Sequence, residues 1–122
     1  MGSVKAVRGA TRADVDTKEE ICRRVGELIR KMSEENRFQR KRIISIQFTQ
    51  TKDLISANPA TALRTIEGYA DIPLFCAQEP EYEGAMERVI RILVTYEERV
   101  SRVPRPVYLN GAERLRGDLF KT

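Results

Sequence analysis

Two periodicities divide the chain. Near its start Val4, Ala6 and the residues around them alternate with Lys5 and Arg8, and this predicts a short strand ending at Gly9. Over residues 16–36 the period lengthens: Ile21, Val25, Leu28 and Met32 recur at helical spacing with charges between them. Thr17-Lys18-Glu19-Glu20 has the form of a capping box at the start of that run, so a long helix is expected. After a polar connection over residues 37–42, Ile44, Ile46 and Phe48 alternate with Ile43, Ser45 and Gln47 as a second strand with one face buried. Asn58-Pro59 reads as an N-cap and a first-turn proline, with Gly68 closing a short helix. A short apolar strand follows at residues 72–76, then an acidic, irregular stretch at 78–84. Residues 89–96 are β-branched and apolar, interrupted only by Arg91. Pro104 and Pro106 precede a last strand at 107–109, and residues 113–120 predict a turn or short helix.

The order strand, long helix, strand, short helix, three strands predicts an α+β fold: a mixed five-stranded sheet with one long and one short helix on one face. The 122 residues suit a single domain, 1–122, and no repeat or linker divides them. They leave too little helix to cover the sheet's second face and its edges, so self-association is expected.

Composition narrows the chemistry. The chain has no histidine, which removes Ser-His-Asp and Cys-His catalysis, the HExxH zinc site and the commonest general base together. Cys22 and Cys76 are too far apart for a CxxC pattern and too few for a disulfide framework, so two reduced thiols are expected. A net charge of +4 raises the question of nucleic acid, and Arg37, Arg40, Lys41 and Arg42 do cluster around Phe38. Acidic residues interleave almost everywhere else and no RNP, KH or helix-turn-helix pattern occurs, so a small anionic ligand fits the scattered arginines better than nucleic acid does. No apolar run approaches the roughly 20 residues of a membrane span, and the first residues lack the apolar stretch of a signal peptide. A cytoplasmic protein with no membrane partner is expected.

Arg91 falls between Ile90 and Ile92, where strand periodicity predicts a buried side chain. Either its guanidinium snorkels to the sheet edge or pairs with a structural carboxylate, or it is a charged fork placed to stabilise developing negative charge. Arg8, just before Gly9, stands where strand ends present side chains to a site, though a surface arginine reads the same way. Glu79 follows the third strand and is either a solvated loop carboxylate or a functional one, and Tyr108 reads equally as core or site.

Several segments, taken in order, break this tie. They are Arg8-Gly9-Ala10-Thr11, Asp16-Thr17-x-Glu19-Glu20-Ile21, Asp53-Leu54 ahead of Pro59-Ala60, and Ile72-Pro73 leading to Cys76-Ala77-Gln78-Glu79. Arg91 in its apolar strand, Val107-Tyr108-Leu109 and Leu115-Arg116-x-Asp118-Leu119 complete the series. From Val4 to Leu119 the chain resembles the monofunctional, trimeric chorismate mutase family. The resemblance implies a ferredoxin-like α+β subunit assembling as a pseudo-barrel homotrimer, and the rearrangement of chorismate to prephenate with no cofactor and no metal. It places Arg91 against the ether oxygen of the substrate, Glu79 at the ring hydroxyl, and Arg8 and Tyr108 at the carboxylates. Cys76 and Phe75 correspond to the pocket wall, Arg64 to its entrance, and Leu115 and Arg116 to a C-terminal segment that closes over it. The segment 58–64, Ala60 included, would belong to an opposing wall donated by a neighbouring subunit.

Four positions depart from the family pattern. Asn58 and Thr61 stand where an aromatic and a lysine are usual, which makes the entrance more polar and less positive, and Phe75 replaces a smaller residue. Gly117 replaces the proline after Leu115-Arg116, which bears on the mobility of the closing segment. A Claisen rearrangement is unimolecular and needs no nucleophile or proton carrier, so a chain without histidine loses nothing. The competing readings are an imine deaminase of the RidA type, which resembles this fold and also uses an interfacial arginine, and a non-catalytic trimeric ligand-binding module. Cys76-x-x-Glu79 and the terminal Leu-Arg-x-Asp-Leu belong to the mutase reading.

Overall fold

In the computed structural model, which describes residues 2–118, the elements run β1 (Ser3–Arg12), α1 (Lys18–Asn36), β2 (Ile43–Gln50), α2 (Pro59–Arg64), β3 (Leu74–Gln78), β4 (Val89–Glu98) and β5 (Val107–Tyr108). Short 3-10 turns at Arg40–Arg42 and Ala112–Arg116 complete the set. The sheet is mixed and five-stranded, in the order β3-β2-β4-β1-β5. β4 pairs antiparallel with β1 and β2, while β5 runs parallel to β1 and β3 parallel to β2. β1, α1 and β2 therefore form a split β-α-β unit, with β4 lying between its two parallel strands. Among the described residues no helix is long and apolar enough to cross a membrane.

Alternation along β4 sorts the two faces. Ile90, Ile92, Val94 and Tyr96 join Ile21, Val25, Leu28 and Met32 of α1 in one core, with Leu63 of α2 packed among them. Arg91, Leu93 and Thr95 point the other way. Arg91 is thus half-buried on the second face and not in the core, because its neighbours Ile90 and Ile92 take the helix side.

β1 continues through Gly9 to Arg12, past the end expected from sequence. Gly9 is a point of close approach: a Cβ there would lie 2.5 Å from the sulfur of Met32 on α1 and 3.0 Å from Ile92. In β2 a bulge between Ile43 and Ser45 turns Ile43 inward and leaves Ile44 44% exposed, reversing the alternation expected there. β3 begins two residues later than expected, because the Ile72 side chain joins the core while the carbonyl of Pro73 accepts from the Ile46 amide. α1 starts as expected, with Thr17 accepting from the amide of Glu20. The Glu20 carboxylate does not close the capping box; it accepts from the Asp14 amide at 2.7 Å and from Arg23 and Arg24. Asn58 caps α2 through the amides of Ala60 and Thr61, but the helix ends at Arg64, and Gly68 with φ +93° lies in the turn beyond it. Phe38, within the basic cluster, packs edge-on against Tyr96. Leu119 and Phe120, part of the expected terminal motif and turn, lie outside the described residues.

Candidate active site

Among the described residues the second face of the sheet is covered only at one end. There the 3-10 turn Ala112–Arg116 folds back over β1 and β5, and Ala10, Tyr108, Ala112 and Leu115 make a small separate apolar cluster. Beside it the face opens into a cavity of about 330 Å³. Strand register brings the residues together: Ala10 pairs with Arg91 and with Tyr108, Arg8 with Leu93, and Thr49 with Arg91. Arg8, Arg91, Tyr108, Gln47, Thr49 and Leu93 therefore reach the cavity from four strands of one face, while Glu79 enters from the end of β3 and Arg116 from the C-terminal turn.

At its centre the Arg91 Nε lies 2.9 Å from Glu79 Oε2. The contact is an ion pair without a well-directed hydrogen bond, since the buried Nε has none among the described residues. The other Glu79 oxygen accepts a short hydrogen bond from the Thr49 hydroxyl, and the Glu79 amide donates to the Gln50 carbonyl at 2.9 Å. Glu79 is thus held at both ends by the sheet, and Arg91 beside it lines the cavity. Arg116 makes a forked contact with Asp118 at 3.0 and 3.1 Å. Asp118 first, and Tyr108 after it, hold the Arg116 guanidinium above its ordinary pKa. Three guanidinium groups (Arg8, Arg91, Arg116) against the carboxylates of Glu79 and of Asp118, which pairs with Arg116, leave the site a formal charge of +1.

Of the residues singled out in the sequence, Arg8, Glu79, Arg91, Tyr108 and Arg116 meet at this cavity. Leu115 packs beneath Tyr108 and borders a smaller hollow on the other side of Arg91 and Glu79. Four others do not line the cavity within one chain. Cys76 pairs with Phe48 and packs against the helix-side core, where burial raises its thiol pKa. Phe75 pairs with Gln47 on the cavity face but stands 68% exposed at the sheet edge. Arg64 is exposed at the end of α2, and Ala60 is 5% exposed, its methyl already spent inside its own chain. Thr49, Gln47 and Leu93 lie in the cavity without having stood out in the sequence. The signal available for them was their odd-numbered place in strands whose even positions are apolar, and it becomes readable once β2 is known to pair with β4.

The fold and cavity define a small α+β protein that presents a cationic pocket, suited in charge to an anionic ligand, on a largely uncovered sheet face. A sequence model of the family described as chorismate mutase type I matches residues 4–119. Over 122 aligned positions the chain is 42% identical to the chorismate mutase AroH of Thermus thermophilus, covering 95% of this chain and 96% of that one. It is 33% identical over 120 residues to the chorismate mutase AroH of Bacillus subtilis, covering 98% and 94%. The solved chorismate mutase of Clostridium thermocellum superposes with a TM-score of 0.82 at 36% identity, covering 90% of this chain and 98% of that one. The chain belongs to the chorismate mutase type I family.

Proposed function

We propose that the protein is an isomerase that rearranges chorismate to prephenate, the precursor of phenylalanine and tyrosine, in the cavity on the second sheet face. The observation that carries this reading is the Arg91–Glu79 pair, set among Arg8, Tyr108 and Arg116 with a net positive charge for a dianionic substrate. Two contributions suffice for a unimolecular Claisen rearrangement: holding the enolpyruvyl ether in its chair-like reactive shape, and stabilising the charge that separates as the C–O bond breaks ahead of C–C bond formation. Arg8 and Tyr108 grip the carboxylates. Arg91 meets the negative charge growing on the ether oxygen, and Glu79, fixed by Thr49, anchors the ring that becomes partly positive.

The reading includes a ferredoxin-like subunit in a pseudo-barrel homotrimer, with each cavity closed by a neighbour's segment 58–64. What supports it is the open sheet face, with Phe75 exposed beside the cavity and Leu93 half-buried within it, and the position of Arg64 at the exposed end of α2. Ala60 would meet the substrate's side of the cleft through its backbone, since its methyl is enclosed, leaving Asn58, Thr61 and Arg64 as the exposed residues of that wall. The test is direct: purified protein should consume chorismate with prephenate as the product, at a rate that EDTA leaves unchanged. A different product, or dependence on an added metal, would end the mutase reading.

A further inference from the structure

At the cavity's C-terminal wall an asparagine ties the turn after β5 to both α1 and β1. β5 is an edge strand, and Leu109 donates to the Ala10 carbonyl at 2.9 Å before the chain reverses through Asn110 (φ +57°) and Gly111 (φ +91°) into the 3-10 turn carrying Leu115 and Arg116. Left-handed backbone at a non-glycine residue is best tolerated by asparagine, whose side chain can also anchor the turn. Here the side chain crosses the sheet edge to the helix side. Its amide nitrogen donates to the Glu27 carboxylate of α1 at 2.7 Å and to the Thr11 hydroxyl of β1 at 2.9 Å. Thr11 is fully buried, so without Asn110 its hydroxyl would lose a partner it cannot replace with water. Glu27 is itself fixed: Arg24, 7% exposed, donates to it at 3.3 Å and also to Glu20 at 3.0 Å and Asp14 at 3.1 Å. The Asn110 amide is the chief influence holding the Glu27 carboxyl below its ordinary pKa, with Arg24 adding to it against partial burial.

We infer that Asn110 is a positioning residue: by tying the turn after β5 to Glu27 and Thr11, it sets where Tyr108 and Arg116 stand in the cavity. The inference deepens the proposed mutase reading and touches none of the groups assigned to the substrate.

Asn110→Asp tests it, since the replacement keeps size and tolerance of the turn but sets a carboxylate against the Glu27 carboxylate. The Thr11 hydroxyl can turn to donate to the new carboxylate while the bond to Glu27 is lost, and losing that one bond at a partly exposed site should raise KM for chorismate about fivefold, roughly 1 kcal/mol, with kcat changed less than about twofold. In the same variant, amide hydrogen exchange read by mass spectrometry should show lost protection over residues 109–116, where the Leu109 and Ala112 amides are bonded. Adding Glu27→Gln, which sets an amide donor against the introduced carboxylate, should recover both. Unchanged protection, lost protection with an unchanged KM, or no recovery in the double variant would each overturn the inference. A wild-type chain that left chorismate unconverted would overturn the mutase reading alone, and the exchange data, which need no substrate, would still decide the clamp.

Discussion

Arg91→Ala removes the guanidinium 2.9 Å from Glu79 and leaves the rest of the cavity in place. The Glu79 side chain is only 13% exposed and keeps its bond from Thr49, so the carboxylate has no reason to swing away. What is lost is a cation that lines the cavity beside Glu79. A preorganised donor aimed at developing negative charge contributes about 3–4 kcal/mol, or roughly 10²–10³ in kcat. The Arg91 side chain is 32% exposed in the single chain, and whatever water stays there after substrate binds pulls the effect toward the lower end of that range. The expected outcome is a fall in kcat of about a hundredfold or more with KM changed less than about tenfold, because the charge acts chiefly in the transition state. Arg91→Lys should recover only part, since an ammonium keeps the charge and loses the planar fork that can meet two oxygens. Steady-state loss of chorismate absorbance, with circular dichroism as a check on folding, measures both. A loss confined to KM, or full activity in the lysine variant, would show that Arg91 only binds.

Two further outcomes concern the scaffold. Glu20 has a folded pKa of about 2 against an ordinary 4.5, lowered chiefly by the Asp14 amide and then by Arg23 and Arg24, with partial opposition from burial. A depressed pKa means that its stabilisation is complete above about pH 4.5 and drains away as pH falls toward 2. Glu20→Gln should therefore cost roughly 2 kcal/mol in denaturant unfolding at pH 7 and flatten the acid limb of the stability curve, and an unchanged acid slope would refute the assignment. Gly9→Ala should cost about 1–3 kcal/mol by pressing on the buried sulfur of Met32. Met32→Ala should relieve much of that strain in the double variant, so that additive losses would contradict the close-packing account.

Element order and the long helix were legible in the sequence because each rests on local information. The 3.6-residue recurrence of Ile21, Val25, Leu28 and Met32 needs no knowledge of a partner, nor does the cap at Thr17. Boundaries failed where a distant contact decides them. Gly9 reads as a stop until α1 is laid across it, and the order of Ile43 and Ile44 depends on a bulge against β4. Arg91 stood out as an interruption, but which way it faces follows from its neighbours taking the core. Thr49 and Gln47 were invisible because ordinary polar strand residues become cavity lining only through register. Glu79, just past the end of β3, read equally as a solvated or a functional carboxylate until the family resemblance decided it, and Arg116, at the end of a 3-10 turn, was reached only through that resemblance.

Whether a neighbouring chain completes each cavity can be measured with two damaged parents. Arg91→Ala lacks the central charge, and Arg64→Glu reverses the charge of an exposed side chain on the proposed donated wall without disturbing its own core. Each, refolded alone, should have little activity toward chorismate. Unfolded together in equal amounts and refolded, random trimers should place an intact Arg91 opposite an intact Arg64 at about one quarter of the interfaces, and activity should rise toward that fraction of wild type. Recovery no greater than the average of the two separately refolded parents would mean that each site lies within one chain, against the shared cavity proposed for this protein.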